Sequence, residues 1–131
     1  MESLVFDTTF LIDFQRERKL RKPGRAHQFL QTNAHKGAFL SIIAYAEYAE
    51  GFNTLDDPAF VSVVESFELL MITRKTAHLY SEITRNLRGQ GLLIGTNDLW
   101  IAAVALENGL PLVTDNNSHF ARIADLQILT Y

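Results

Sequence analysis

Short apolar runs alternate with segments of helical periodicity along the chain, and this alternation limits the possible folds more than any other sequence feature. Each apolar run is too short for a helix, and the stretches between runs are long enough for helical crossovers. Helices that alternate with strands in this way cover both faces of a mainly parallel sheet. The sequence therefore predicts an α/β/α sandwich with about five strands. The predicted strands are residues 4–6, 38–40, 69–72, 111–114 and 127–131.

Cap and turn residues predict where the intervening helices begin and end. A helix follows Asp7, an N-cap residue type, and is broken by Pro23 and Gly24. Pro58 suits the first turn of another helix, and Gly109 ends a strongly apolar one. Helices are predicted at residues 26–34, after the second strand to about 51, and at 58–67, 76–87, 97–108 and 118–124.

The chain has the length and composition of one packed domain, residues 1–131, with 47% hydrophobic residues. It contains no cysteine, which excludes disulfides, thiolate zinc sites and a cysteine nucleophile. No apolar run approaches the ~18 residues of a membrane span, and the first residues do not resemble a signal peptide. We therefore expect a cytoplasmic protein that has no membrane partner.

Four carboxylates that are far apart in the sequence are predicted to lie near one edge of the sheet. Asp7 ends the first strand, Glu47 lies in the helix after the second, and Asp115 follows the fourth. Asp98 begins the helix at 97–108. Ligands of parallel sheets bind beyond the carboxyl ends of the strands. Carboxylates grouped there would repel one another unless a cation were present. Oxygen ligands favour Mg²⁺ or Mn²⁺, and such a site suits phosphodiester hydrolysis.

Each of these carboxylates also has a simpler explanation when it is taken alone. Asp7 could only cap the following helix, and Asp98 is favoured by the helix dipole. Glu47 could be a solvated helix residue, and Asp115 could be a turn residue. The metal-site interpretation therefore depends on the joint pattern of the four acids.

Basic residues are concentrated between positions 16 and 25, although the formal net charge of the chain is −3. Positive charge near a helix end is favoured by the dipole, so this segment could simply be solvated. Alternatively, it binds the phosphates of single-stranded RNA beside a cleft. The residues predicted to contact RNA in this segment are Arg16, Arg18 and Lys19.

Four sequence blocks surround the predicted acids with further characteristic residues. Their order, spacing and neighbours are more specific together than any single acid. The blocks are 5–8 (VFDT), Ser41 followed by Glu47 and Gly51, 97–103 (NDLWIAA), and 113–116 (VTDN) followed by 119–120 (HF).

In these blocks the chain resembles the PIN-domain ribonucleases and, within them, the VapC-type toxins of prokaryotic toxin–antitoxin pairs. The resemblance covers nearly the whole chain and implies a metal-dependent endoribonuclease on a PIN-like α/β/α sandwich. It implies that Asp7, Glu47 and Asp98 are metal-binding acids and that Mg²⁺ or Mn²⁺ is the cofactor. It also implies RNA as substrate, a small antitoxin as partner and a homodimer of the nuclease.

The fourth block departs from the family pattern because His119 stands where many relatives have an acid. Asp115 is the nearest available carboxylate, and we predict it as the fourth catalytic acid and metal ligand. Asn116 would support it, or three acids hold the metal while His119 contacts a phosphate. Thr8, Asn116 and His119 are the predicted substrate contacts at the site. Thr8 and Thr114 could also orient carboxylates or waters.

Two other functions compete with a nuclease at this stage. The first is a catalytically inactive PIN scaffold that acts as a protein-binding module, which the residue at position 119 keeps open. The second is a phosphoacceptor domain of receiver type, which also groups acids at strand ends around Mg²⁺. A receiver needs paired acids near the first strand and a lysine after the last, and the sequence supplies neither.

Overall fold

Five parallel strands form one sheet in the computed structural model, which describes residues 2–131. They are β1 (Ser3–Phe6), β2 (Gly37–Ser41), β3 (Glu68–Leu70), β4 (Leu112–Val113) and β5 (Ile128–Leu129). Their order across the sheet is β3-β2-β1-β4-β5, so the first strand of the chain lies at the centre. β1 pairs with β2 from Ser3 to Phe6, and its last two residues pair with β4. The predicted parallel sheet of five strands is confirmed.

Seven helices connect these strands within residues 2–131. They are α1 (Thr8–Lys19), α2 (Arg25–Thr32), α3 (Ile42–Ala49), α4 (Pro58–Val64), α5 (Arg74–Gly89), α6 (Thr96–Glu107) and α7 (Asn117–Phe120). Four of them are capped by the side chain of their own N-cap residue, at Asp7, Ser41, Asp57 and Thr73. None of the seven is long and apolar enough to cross a membrane.

The alternating side chains of β1 divide the core into two clusters, one on each face of the sheet. Leu4 and Phe6 point into a cluster with buried residues of α1, α2 and α4. Val5 points into the other cluster, with buried residues of α5, α6 and α7. Burial on both faces explains why β1 is a continuous apolar run rather than an alternating one. The predicted α/β/α sandwich is therefore confirmed.

Several element ends differ from the sequence prediction: the helix predicted at 58–67 ends at Val64, and the strand predicted at 69–72 is Glu68–Leu70. The predicted helix at 118–124 is wrong beyond residue 120, because turns replace helical structure and Asp125 has a positive φ of 67°. The predicted strands at 111–114 and 127–131 are also too long, since only two residues of each pair in the sheet. A two-residue pairing length depends on the neighbouring strand, which hydrophobic periodicity does not reveal.

Candidate functional site

Three of the four predicted acids lie together at the carboxyl edge of the sheet. Asp7 directly follows β1 and is the N-cap of α1. Glu47 lies in α3, which begins immediately after β2. Asp98 lies in the first turn of α6, where the positive end of the helix dipole favours an acid. Parallel strands therefore bring acids from distant parts of the sequence to one place.

Asp7 is buried, with only 3% of its surface exposed. Its Oδ1 accepts a hydrogen bond from the Thr8 backbone N–H at 2.7 Å. Its Oδ2 accepts from the hydroxyls of Thr9 at 3.1 Å and Thr114 at 2.8 Å. Burial raises the pKa of Asp7, the bonds from Thr114 and Thr8 oppose this, and the charge of Asp98 adds to the increase. The carboxylate is thus fixed in orientation, and its charge is one that a nearby cation would stabilise.

Asp98 is half-buried beside Asn116 and His119, two of the predicted substrate contacts. The Nδ2 of Asn116 and the Nδ1 of His119 each lie 3.5 Å from its Oδ2. Asn116 and His119 also contact each other, with 2.9 Å between these two nitrogens. Burial raises the pKa of Asp98, His119 opposes this through hydrogen bonding and charge, and the charge of Glu47 raises it further. His119 therefore stands at the acid cluster itself.

Glu47 is held by side chains that lie next to the other two acids. Its Oε1 accepts a hydrogen bond from the Thr8 hydroxyl at 2.6 Å. Its Oε2 accepts a hydrogen bond from the Asn97 side-chain amide at 3.1 Å. Thr8 follows Asp7 in the chain and Asn97 precedes Asp98. The three acids are thus linked through their sequence neighbours.

Asp115 faces away from this hydrogen-bonded group, toward α2. Its Oδ2 lies 3.6 Å from the Arg25 guanidinium, and both side chains are largely exposed. The preceding residue, Thr114, is the one that contacts the acid cluster through Asp7. No hydrogen bond among the described residues links Asp115 to the other acids, and its assignment as a ligand stays a prediction.

The basic residues predicted to contact RNA lie on the last turns of α1. Arg16 pairs with Asp13 at 3.1 Å, and Arg18 donates to the Ser62 carbonyl at 3.4 Å. At 1.5 Å per residue, positions 16 and 19 lie roughly 12 and 17 Å along the helix axis from the first residue of α1. Any contact that they make with RNA is therefore with a part of the strand away from the acids.

The donor set at the site fits a hard divalent cation. No three His, Asp or Glu side chains among residues 2–131 are arranged closely enough to hold one ion as they stand. Mg²⁺ does not require three, because it commonly binds one or two carboxylates and keeps several waters. Asp7 and Asp98, whose charges interact, are the pair that fits this requirement. Glu47 also fits, because its ionised carboxylate has lone pairs beyond those that its two donors occupy.

Two residues with contacts at the site received no role in the sequence prediction. Thr9 donates to Asp7, and Asn97 donates to Glu47. The position of Asn97 beside Asp98 was a usable signal, because neighbours in a first helical turn lie at the same end of the helix. Its partner was not predictable, since that contact depends on how α3 packs against α6.

This sheet order, with acids at its carboxyl edge, is the architecture of a PIN domain. Residues 4–126 match the PIN domain, which accounts for almost the whole chain. The chain therefore belongs to the PIN-domain family and, by the relatives described next, to its VapC ribonucleases.

The relatives that support this assignment match the chain along nearly its full length. It is 30% identical to ribonuclease VapC1 of Methanocaldococcus jannaschii over 129 residues, which cover 98% of this chain and 86% of the relative. It is 33% identical to ribonuclease VapC2 of Haemophilus influenzae over 132 residues, covering 97% and 96%. It also superposes on the crystal structure of VapBC2 from Rickettsia felis bound to a promoter DNA fragment, with a TM-score of 0.83, 25% identity and 98% coverage of both chains. The resemblance that the sequence blocks indicated is confirmed.

Proposed function

We propose that the chain is a metal-dependent endoribonuclease and the toxin of a toxin–antitoxin pair. The observation that carries this proposal is the convergence of Asp7, Glu47 and Asp98 at the sheet edge of a fold whose relatives are named ribonucleases. An inactive scaffold, the alternative left open by the sequence, finds no support among these relatives. The structure offers no specific observation that favours it.

Mg²⁺ or Mn²⁺ is the cofactor in this proposal, held by Asp7 and Asp98 with Glu47. When bound, it lowers the pKa of a water molecule and stabilises negative charge on the phosphate. Asp115, which pairs with Arg25 through Oδ2, is the further predicted ligand in this proposal. The chain's own contribution is to fix the acids, and the hydroxyl of Thr114 does so at Asp7.

The side chains around Asp98 are suited to hold the scissile phosphate group. Asn116 and His119 place side-chain nitrogens within 3.5 Å of its carboxylate, and the amide of Asn116 is a donor that a bound phosphate would find there. The hydroxyl of Thr8 donates to Glu47, so its predicted substrate contact would be made as an acceptor, from a donor such as a ribose 2′-hydroxyl and not from a phosphate oxygen. His119 stands where many relatives have an acid, and in this proposal it contacts the phosphate and does not bind the metal.

The basic end of α1 would hold the RNA strand beyond the site. The side chain of Lys19 is exposed. Arg16 forms an ion pair with Asp13, and Arg18 donates a hydrogen bond to a backbone carbonyl. A backbone phosphate competes well for such exposed guanidinium groups, because their ion pairs in water are weak. We therefore expect Arg16, Arg18 and Lys19 to raise RNA affinity in a salt-dependent way.

A groove between α1 and α4 is the surface on which we place the antitoxin. It has a volume of about 420 Å³, an apolar part formed by Phe52 and Val63, and the cations Arg18 and Lys19 at its side. A peptide segment with apolar and acidic side chains would complement the apolar part of this groove and its two cations.

The proposal also includes a homodimer, as the family resemblance implies, and a location in the cytoplasm. Sedimentation equilibrium of the purified chain tests the first part, since a dimer has twice the mass of 14.8 kDa. Fractionation of cells that express the chain tests the second.

The experiment that tests the activity is cleavage of a labelled structured RNA by the purified protein. Reactions contain Mn²⁺, Mn²⁺ with excess chelator, or the Asp98→Asn variant with Mn²⁺. We expect cleavage at internal positions in the first reaction alone. A well-folded Asp98→Asn protein that cleaves as fast as the wild type would contradict the role of the acids. Cleavage that persists in the chelator would contradict the role of the metal.

A further inference from the structure

The carboxylate of Glu47 is held at both oxygens by neutral donors from two other elements. Thr8 donates to Oε1 at 2.6 Å from the first residue of α1, and Asn97 donates to Oε2 at 3.1 Å from the first turn of α6. Glu47 itself lies on α3 and is half-exposed. A glutamate on a partly exposed helix face has several rotamers, and fixing it in one of them lowers its entropy. These two donors therefore determine where the third acid points.

The contact from Asn97 is not a by-product of helix capping. α6 begins after Gly95, and no side chain caps its N-terminus. The amide of Asn97 is instead aimed across to α3, fifty positions away in the chain. Because Asn97 directly precedes Asp98, one turn of α6 supplies one acid and holds another.

We propose that Asn97 is a positioning residue that orients Glu47 for cation binding. This inference rests on the proposed function, in which Glu47 is one of the acids that hold Mg²⁺ or Mn²⁺. An amide is suited to the task because it donates a hydrogen bond without neutralising the carboxylate, which keeps its full charge for the cation. Residues that orient metal ligands typically change metal affinity by 10–100-fold when they are lost.

The test is a double-mutant cycle on Mn²⁺ affinity, measured by titration calorimetry on the whole chain. We expect Asn97→Ala to weaken Mn²⁺ binding by about tenfold in the wild-type background. In the Glu47→Ala background the same substitution should have no further effect, because the side chain that it orients is absent. Asn53→Ala, an exposed asparagine in the loop after α3, is the matched control and should bind Mn²⁺ like the wild type.

Cleavage kinetics provide a second readout that does not depend on weak binding by the Glu47→Ala protein. With Asn97→Ala, the Mn²⁺ concentration for half-maximal cleavage should rise about tenfold, while kcat at saturating Mn²⁺ stays within about twofold. Unchanged Mn²⁺ affinity in Asn97→Ala would overturn the inference, and so would an equal loss in both backgrounds. If the wild type binds Mn²⁺ but cleaves no RNA, the proposed function fails while the cycle still decides the role of Asn97.

Discussion

The carboxyl groups of Asp7 and Asp98 lie where burial disfavours their charged form. Burial is the largest cause of the raised pKa of each, and a neighbouring acid adds to both increases. The hydroxyl of Thr114 and the backbone of Thr8 reduce this cost at Asp7 without removing it. Residues that destabilise the free fold in this way are commonly retained for binding or catalysis.

The Asp98→Asn variant should be more stable than the wild type when no metal is bound. The folded-state pKa of Asp98 is raised, so the folded chain binds more protons than the unfolded chain above the unfolded pKa. Wild-type stability is therefore highest below that unfolded pKa and falls as pH rises through the folded one. The neutral Asn escapes this loss. In excess chelator the Tm of the variant should therefore exceed that of the wild type, and the difference should grow from pH 4 to pH 7. This interval begins near the ordinary pKa of carboxyl groups. A Tm difference that shrinks over this interval would contradict the cause assigned to the shift.

The hydroxyl of Thr114 should contribute measurably to stability, whereas that of Thr84 should not. Thr114 is fully buried, donates to Asp7 and accepts from the Asn116 backbone N–H at 2.9 Å. Thr114→Val keeps the shape but removes both bonds, and we expect a loss of about 1–3 kcal/mol in the free energy of unfolding, measured in urea.

The matched control is Thr84→Val, because the Thr84 hydroxyl is buried and has no partner among residues 2–131. Removing an unpaired buried hydroxyl should leave stability unchanged or raise it by up to about 1 kcal/mol. Equal losses in the two variants would show that the bonds of Thr114 contribute nothing specific.

The start of α2 depends on a side chain from another helix. Glu17 of α1 accepts hydrogen bonds from the backbone N–H groups of Gly24, Ala26 and His27, and contacts the His27 ring at 2.6 Å. Burial alone would raise the pKa of Glu17, but these bonds outweigh it and lower the pKa to about 2. One carboxylate thus performs the capping that Gly24, the N-cap residue, has no side chain to provide.

Glu17→Gln should destabilise the fold at neutral pH by about 1–3 kcal/mol, because the amide cannot accept at both ends. A lowered pKa contributes stability above the unfolded value of 4.5, and this contribution is lost as pH falls toward about 2. The difference between wild type and variant in urea melts should therefore shrink across that interval. Glu82→Gln, an exposed site on α5, should differ little from the wild type at any pH.

Helix starts were predictable from the sequence to the extent that their caps are local. Asp7 and Pro58 mark the starts of α1 and α4 within their own segments, and the structure keeps both. The cap of α2 comes from Glu17, seven residues before the N-cap position Gly24, so local cap rules missed it. The end of α7 and the lengths of β4 and β5 depend on neighbouring chain segments, which no local pattern encodes.

The placement of the acids was predictable because it follows from topology. Once β1, β2 and β4 are parallel neighbours, residues near their carboxyl ends come to one edge of the sheet, and Thr8 bonds both Asp7 and Glu47 there. The direction of each side chain was not predictable. Asp115 turns to Arg25, ninety positions away in the chain, and Glu47 turns to Asn97, and both contacts depend on packing between elements that are distant in sequence.

Mn²⁺ should stabilise the whole fold by linkage, because the acids come together only when the sheet is formed. The unfolded chain separates Asp7 from Asp98 by ninety residues and holds no comparable site. At a Mn²⁺ concentration 100 times the dissociation constant, the free energy of unfolding should rise by about 2.7 kcal/mol. Thermal melts across a Mn²⁺ series should show a Tm that increases for the wild type and stays nearly constant for Asp98→Asn. The two proteins should therefore exchange order: the variant melts higher in chelator, and the wild type melts higher in saturating Mn²⁺. A Tm that rises equally in both would place Mn²⁺ elsewhere on the molecule.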